Sequence, residues 1–155
     1  MNESDVVESM HLVYHVRDKI RKDPNYIKTV QALTLNELRP MHGLKGTYGL
    51  YGSLEWLNNL DSGIIPRQEI SGIIRRIYTT DMDNGNIPDT MDIELKDIGK
   101  IVKQGIFLNN ESDIKLFMVG KRIEIIYYIE DMKAIDQATG ENVKHKFVLE
   151  MKISN

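Results

Sequence analysis

The sequence predicts an α+β protein in which helices come first and antiparallel strands follow. Three features of the 155 residues indicate this order. Apolar residues recur at helical spacing over residues 1–40, and they alternate with polar residues beyond residue 63. Between these regions, residues 41–53, the glycine-rich connector, carry glycine at every third position, which disfavours both regular structures. We expect a single domain over residues 1–155, helical and glycine-rich over 1–62 and strand-forming over 63–155.

Two helices are predicted before the connector. Ser4 and Asp5 supply a start for the first helix, and a basic run near its end suits a helix C-terminus. Its apolar face would comprise Val6, Met10, Val13 and Ile20. Asp23 followed by Pro24 is an N-cap with proline at the first helical position, which predicts the start of the second helix. The apolar side of that helix would comprise Ile27, Val30, Leu33, Leu35 and Leu38. Pro40 is expected to end it.

Ser53 can cap a third, short helix, Leu54–Leu60, directly after the connector. Backbone amides freed by the glycines can point at this helix N-terminus and form an anion-binding nest. Lys45, Gly49, Gly52 and Ser53 are the candidate residues of such a site for a small anion or nucleotide. The spacing matches neither the phosphate loop nor the dinucleotide-binding fingerprint, so packing of the connector on the strands is the competing interpretation.

Five strands are predicted beyond the connector: Glu69–Thr79, Thr90–Lys96, Lys100–Leu108, Lys121–Met132 and Val143–Ser154. In the last strand, the inward face would comprise Val143, His145, Phe147, Leu149, Met151 and Ile153. In the fourth strand, Ile123, Ile125, Tyr127 and Ile129 would face inward. That alternation leaves Tyr128 and Glu130 facing outward. The strands therefore share one buried face and one solvated face.

The order of these elements indicates how the strands are arranged. A helix-compatible stretch, Asn110–Phe117, lies between the third and fourth strands, and Gly72 inside the first strand predicts a bulge or sharp bend. This order over residues 68–154 resembles the five-stranded antiparallel Greek-key barrel of the oligonucleotide/oligosaccharide-binding (OB) type. The resemblance rests on element order and implies no function by itself. An open antiparallel sheet covered by the N-terminal helices is the alternative architecture.

Composition excludes several classes of function. The chain has no cysteine, which excludes thiol catalysis, disulfides and cysteine-ligated metal sites. The net charge of −3 gives no general attraction to duplex nucleic acid or anionic membranes. Acidic residues near the N-terminus argue against a signal peptide, and the sequence has no long apolar run, so we expect a cytoplasmic protein. The excess of isoleucine over alanine indicates an AT-rich bacterial or mobile-element genome.

Two patterns match metal sites incompletely. His11 and His15 are four residues apart and would share a helix face, but no third ligand lies at a suitable spacing. Residues 81–86 together with Asp92 look like a calcium loop in which the glycine stands one place early. The closing Asp is also too short to reach the ion with both oxygens. We therefore expect no metal and no cofactor.

Catalytic patterns are also incomplete. Ser53 follows a glycine but lacks the second glycine of a nucleophile elbow. Asp92 and Glu94 share one strand face, but alternation places both in water, where nothing tunes them for acid–base catalysis. We expect a protein that is not an enzyme.

The function that remains is a non-catalytic protein-binding module of the inhibitor, immunity or adaptor type. Amphipathic helices and a small acidic barrel offer grooves and edges to a protein partner. We expect partner contacts at Tyr48, Tyr51 and Trp56, because aromatic rings on the connector are effective anchors if they are exposed. The sequence leaves the oligomeric state open.

Single-stranded nucleic acid is the alternative partner, because aromatic and cationic side chains on the outer face of a barrel can stack on bases and follow a backbone. The residues available for this are Arg76, Tyr78, Arg122, Tyr128, Lys144 and Lys146. Acidic residues are interleaved with these cations, which weakens this alternative. A small anion or nucleotide at the connector is the third option.

Overall fold

The computed structural model describes residues 9–80 and 85–155. The helices are α1 (Val16–Lys22), α2 (Pro24–Leu35), α3 (Leu54–Asp61) and a 3-10 helix (Glu111–Leu116). The strands are β1 (Met10–His15), β2 (Arg67–Tyr78), β3 (Thr90–Leu95), β4 (Ile101–Gly105), β5 (Arg122–Ile135) and β6 (Asn142–Ser154). The predicted helix start at Ser4, Asp5 and Val6 and part of the predicted calcium-like loop, residues 81–84, lie outside the described residues.

The strands form a six-stranded antiparallel open sheet in the order β1-β6-β5-β2-β3-β4. This confirms a mixed α+β protein, and it matches the open sheet that was the alternative to a barrel. The OB-like five-stranded barrel is not confirmed, because a sixth strand, β1, pairs antiparallel with β6 at one end of the sheet. The five strands predicted from the alternating pattern are all present as β2 to β6.

β1 corrects the prediction of a helix over this part of the chain. Its pairing with β6 shifts register between Leu12 and Tyr14, which marks a bulge. The bulge interrupts the two-residue alternation, so that Val13 and Tyr14 are both buried. Apolar residues at positions 10, 13 and 14 therefore imitate the spacing of a helix although the backbone is a strand. The helix itself begins only at Val16.

The described residues group into two compact units. Unit 1 comprises the residues up to His15 together with Glu69–Ile126 and Glu150–Asn155. Its core is a set of fully buried side chains: Ile74, Met91, Ile93, Ile123, Ile125, Met151 and Ile153. A Cβ atom on Gly72 would lie 2.3 Å from the carbonyl oxygen of Glu94, so β2 and β3 approach too closely there for any side chain. The register shift of β2 lies slightly further on, between Ile74 and Arg76.

Unit 2 comprises Val16–Gln68 and Tyr127–Leu149, and so contains α1 to α3 and the connector. The predicted helix caps are confirmed: the Asp23 side chain accepts a hydrogen bond from the Tyr26 amide at 3.1 Å, and Ser53 accepts one from the Trp56 amide at 3.2 Å. α2 ends five residues before Pro40 because Asn36 turns the chain, and its side chain accepts from the Leu38 amide at 3.0 Å. Across the described part of the chain, the helices are too short or too polar to span a bilayer.

Candidate functional site

The connector lies along β5 within unit 2. Leu44 forms an antiparallel bridge with Met132, and the Lys45 amide donates to the Asp131 carbonyl at 2.9 Å. All four connector glycines have positive φ: Gly43 at 87°, Gly46 at 84°, Gly49 at 102° and Gly52 at 76°. Glycine is the residue that adopts this conformation without strain, which explains its regular spacing here. The connector is therefore an ordered series of turns.

Side chains also fasten the connector to the β5–β6 hairpin. Thr47 Oγ1 donates to Asp131 Oδ2 at 2.9 Å, and Lys144 Nζ donates to the other oxygen of Asp131 at 2.8 Å. The hydrogen bond from Lys144 holds the pKa of Asp131 below its ordinary value. Lys45 Nζ donates to Asn142 Oδ1 at 2.8 Å. Lys45 and Lys144, predicted to contact an anion and nucleic acid respectively, are both engaged within the unit.

The other candidate anion-site residues also make contacts inside unit 2. The Gly49 amide donates to the Gly46 carbonyl at 3.1 Å, and the Ser53 hydroxyl caps α3. A Cβ atom on Gly49 would lie 3.1 Å from a carboxylate oxygen of Glu55, so a negative group already faces this turn. A Cβ atom on Gly52 would lie 3.1 Å from Ile27. Each of these residues therefore already has a contact within unit 2.

Five aromatic rings, which we call the aromatic column, pack in succession through unit 2. The ring centroids are 6.1 Å apart for Tyr26–Tyr51, 5.0 Å for Tyr51–Trp56, 5.4 Å for Trp56–Tyr128 and 5.4 Å for Tyr128–Phe147. Partner contact at Tyr51 and Trp56 depended on their exposure, and neither side chain is exposed: Trp56 is 0% exposed and Tyr51 is also buried. The outward position predicted for Tyr128 is also wrong. Its side chain is buried because α3 and the connector cover the face of β5 on which it lies. Tyr48 remains half-buried on the connector.

Glu130 is a buried carboxylate beside the aromatic column. Only 1% of its surface is exposed, and the indole Nε1 of Trp56 donates to its Oε2 at 3.2 Å. Its Oε1 has no hydrogen-bond partner among the residues described. Burial raises the pKa of Glu130 to about 7, and the nearby charge of Asp131 acts in the same direction. Strand alternation missed this residue, since it placed Glu130 on a solvated face.

At the end of α2 and in the turn that follows it, the chain presents three apolar side chains to water. Leu35 is 65% exposed, Leu38 is 91% exposed and Met41 is 44% exposed. We call residues 35–41 the apolar turn. Burying a leucine side chain contributes roughly 1.5–3 kcal/mol, so exposed leucines this close together are an unused source of binding free energy. Sequence reasoning missed this feature because it assigned Leu35 and Leu38 to the packed side of α2.

Lys133 of β5 fixes the apolar turn. Its Nζ donates to three backbone carbonyls, those of Leu33 at 2.6 Å, Asn36 at 3.2 Å and Arg39 at 3.2 Å. These carbonyls belong to the end of α2 and to the turn itself, where the helix leaves acceptors unsatisfied. A cation is also favoured by the helix dipole at this end. The turn therefore holds its shape although its side chains lie in water.

In unit 1, the residues considered for nucleic-acid binding have partners of their own. The Arg76 guanidinium lies over the Tyr78 ring at 4.3 Å, and the Tyr78 hydroxyl donates to Asp92 at 2.8 Å. Arg122 forms an ion pair with Glu124 at 2.9 Å. These contacts neutralise the charges or occupy the ring face that a polyanion or a base would need.

In unit 2, the residues considered for nucleic-acid binding also have partners within the unit. Lys146 Nζ lies over the Tyr127 ring at 4.5 Å, and Lys144 pairs with Asp131. Tyr128 is buried in the aromatic column and cannot stack on a base. The nucleic-acid alternative is therefore not supported.

The histidine pair and the paired carboxylates are not assembled into a site. β1 is a strand, so His11 and His15 are not one helical turn apart; His11 Nε2 lies 3.5 Å from an oxygen of Asp113. Glu94 pairs with Arg75 at 2.9 Å. Over residues 9–80 and 85–155, no group of three or more histidines and carboxylates is placed to hold a metal ion.

Comparison with known families favours a protein partner over nucleic acid. A family model described as immunity protein RhsI2 matches residues 10–154. The chain belongs to the RhsI2 immunity protein family. A comparison with curated proteins finds no match. Membership of the RhsI2 family supports a protein-binding module of the immunity type and is consistent with the expected non-catalytic role.

Proposed function

We propose that this RhsI2 family member protects a cell by binding a toxin protein and blocking it, without chemistry of its own. The observation that carries this proposal is the family match, which spans nearly the whole described chain, residues 10–154. It favours the immunity type over the inhibitor and adaptor types considered from sequence. We also propose that the protein acts in a bacterial cytoplasm, a compartment in which a cysteine-free composition is ordinary.

The apolar turn is the proposed contact surface for the toxin. Protein interfaces draw most of their binding free energy from a few side chains that become fully desolvated, and Leu38 has the largest exposed fraction among the large apolar side chains that the structure describes. Exposed Glu37 and Arg39 flank it and provide charges of both signs for the rim of an interface. Because Lys133 already orders the turn, binding would not have to immobilise the backbone.

The connector residues predicted from sequence have a supporting role in this proposal. Tyr51 of the connector packs on Trp56 of α3, and this contact holds the connector in place through the aromatic column. Tyr48 stays half-buried, and Asn59 Nδ2 fixes its backbone by donating to its carbonyl at 2.9 Å. Tyr48 is therefore the member of the predicted trio that can still touch a partner.

A substitution in the apolar turn tests the proposal. The purified toxin domain against which the protein protects would be titrated with the wild type, with Leu38→Ser and with Val119→Ser, a control change from apolar to polar at an exposed site of unit 1. We expect Leu38→Ser to weaken binding by about tenfold or more, since that corresponds to about 1.4 kcal/mol. Protection of growth on co-expression with the toxin should fall in parallel.

Two results would contradict parts of this proposal separately. If the wild type neither binds the toxin domain nor protects growth, the immunity function itself is wrong. If the wild type binds and Leu38→Ser binds equally well, the function stands and the apolar turn is not the contact surface. Thermal unfolding of both variants should match the wild type, because neither side chain is buried.

A further inference from the structure

The two outermost strands of the sheet, β1 and β4, present different edges. Each has one neighbouring strand in the sheet order, so each has an outer edge whose backbone groups need other partners. Asn109 supplies hydrogen-bond partners for the outer edge of β1. Its amide donates to the Val13 carbonyl at 2.9 Å, and its side-chain oxygen accepts from the His15 amide at 2.7 Å. The chain thus covers the edge of β1 with its own residues.

The register of β4 shows which of its backbone groups face outward. Hydrogen bonds from Leu95 to Lys100 and from Ile106 to Asp89, both at 2.8 Å, mark bonded pairs at the two ends of the β3–β4 ladder. Bonded and non-bonded pairs alternate along an antiparallel ladder. In the observed register, the backbone groups of Val102 and Gln104 therefore form hydrogen bonds with Ile93 and Met91 of β3. The amides and carbonyls of Ile101, Lys103 and Gly105 therefore point away from the sheet.

These outward groups lack strand partners. The Gly105 carbonyl accepts from the Gln104 side chain at 3.1 Å, but the backbones of Ile101 and Lys103 find no partner on this edge among the residues that the structure describes. The side chains of Ile101 and Lys103 are both exposed. β4 therefore offers an open edge with one apolar and one cationic side chain on the same face.

We propose that the open edge of β4 binds an extended, acidic segment of the toxin as an added strand. This proposal rests on the immunity function proposed above. An added strand would satisfy the outward amides and carbonyls of Ile101 and Lys103, which is how sheets recognise extended peptides. Exposed Lys100 and Lys103 favour carboxylates on that strand, because opposite charges on paired strands stabilise the pairing.

The charge of Lys103 disfavours a second copy of this chain as the occupant. If two β4 edges paired antiparallel about their central residue, Lys103 of each copy would stand opposite Lys103 of the other. Like charges directly opposite one another destabilise paired strands. A lysine at an edge is a recognised barrier to such self-pairing. The edge is therefore protected against its own copies and open to a segment of opposite charge.

Amide hydrogen exchange measured residue by residue by NMR tests the proposal on the unmodified protein. The exchange rates of Ile101 and Lys103 would be compared for the protein alone and with the purified toxin domain. We expect both amides to exchange at least about tenfold more slowly in the complex. Toxin binding without this protection overturns the β4 proposal and leaves the immunity function intact. Absence of toxin binding overturns both, and protection that grows with the concentration of the protein alone assigns the edge to a second copy instead.

A pair of variants tests the backbone contribution. Lys103→Pro removes an amide that points away from β3, so the β3–β4 ladder keeps its hydrogen bonds. Lys103→Thr also removes the charge but keeps that amide. We expect the proline variant to bind the toxin at least about tenfold more weakly than the threonine variant, with both folded as judged by circular dichroism. Equal affinities would overturn the proposal. If Lys103→Pro does not fold, the exchange measurement on the wild type decides.

Discussion

The aromatic column and the apolar turn lie in the same unit, yet they use apolar side chains in opposite ways. Trp56 is 0% exposed and packs between two tyrosine rings, whereas Leu38 is 91% exposed. Both regions are held in place by β5, the column through Tyr128 and the turn through Lys133. The difference lies in what covers each region.

This contrast separates stability from binding. The free energy gained by burying the column already contributes to folding, so changes there should lower the free energy of unfolding. The apolar surface of the turn is still in contact with water and can be buried only by another molecule. Substitutions in the two regions should therefore give different patterns, with large effects on unfolding in the column and small ones in the turn.

The largest effect is expected for Trp56→Ala. Removing a fully buried tryptophan leaves a cavity, which costs about 3–5 kcal/mol of unfolding free energy. It also removes the indole N–H that donates to buried Glu130. Urea unfolding followed by circular dichroism measures the loss. Leu38→Ala is the matched control and should change the unfolding free energy by less than about 0.5 kcal/mol. Similar losses in both variants would erase the distinction between the two regions.

A second prediction concerns Glu130 and pH. The pKa of this group is about 7 in the folded protein, above its ordinary value of 4.5, so the folded state holds the proton more tightly than the unfolded chain. The stability that this group contributes is present in full below about pH 4.5 and is lost as pH rises to about 7. Glu130→Gln stays neutral at every pH. We expect it to raise the melting temperature at pH 8 and to leave it nearly unchanged at pH 4.

Melting curves between pH 4 and pH 9 measure this effect. The control is Glu141→Gln, which neutralises an exposed carboxylate in the β5–β6 turn of the same unit. Its pH profile should run parallel to that of the wild type, while the profile of Glu130→Gln should be flatter over the stated range. If Glu130→Gln is less stable than the wild type at pH 8, burial of the ionised carboxylate does not destabilise the fold and the prediction is wrong.

The alternation of apolar and polar residues predicted the strands well where only one face of the sheet is buried. The predicted start of β3 at Thr90 is observed, and β6 begins one residue before its predicted start. The pattern fails in the half of β5 that belongs to unit 2, where Tyr128 and Glu130 are buried. Periodicity within one strand cannot reveal that another layer, here α3 and the connector, covers the second face. Periodicity also failed to predict β1, because the extra residue of its bulge interrupts the two-residue alternation.

The candidate site could be predicted only in part. The glycine spacing and the caps at Asp23 and Ser53 located the connector and the helices around it. The apolar turn was missed, although Asn36, a residue that favours caps and turns, stood inside the predicted second helix. The contact that orders the turn joins Lys133 to a carbonyl one hundred residues earlier in the chain. No local pattern encodes a contact over that separation.

A smaller effect on stability than that of Trp56→Ala is expected for Lys133→Met, which sharpens the comparison by loosening the turn without removing its leucines. The variant keeps an unbranched side chain one heavy atom shorter and loses the charged hydrogen bonds to three carbonyls. We expect a loss of only about 1–2 kcal/mol in unfolding free energy, because the three carbonyls can accept hydrogen bonds from water in place of Lys133. Toxin binding should weaken as well, since the turn must then be ordered on binding. The control variant Lys133→Arg keeps the positive charge and should retain most of the affinity. If Lys133→Met binds the toxin as tightly as the wild type, the order of the turn contributes nothing to recognition.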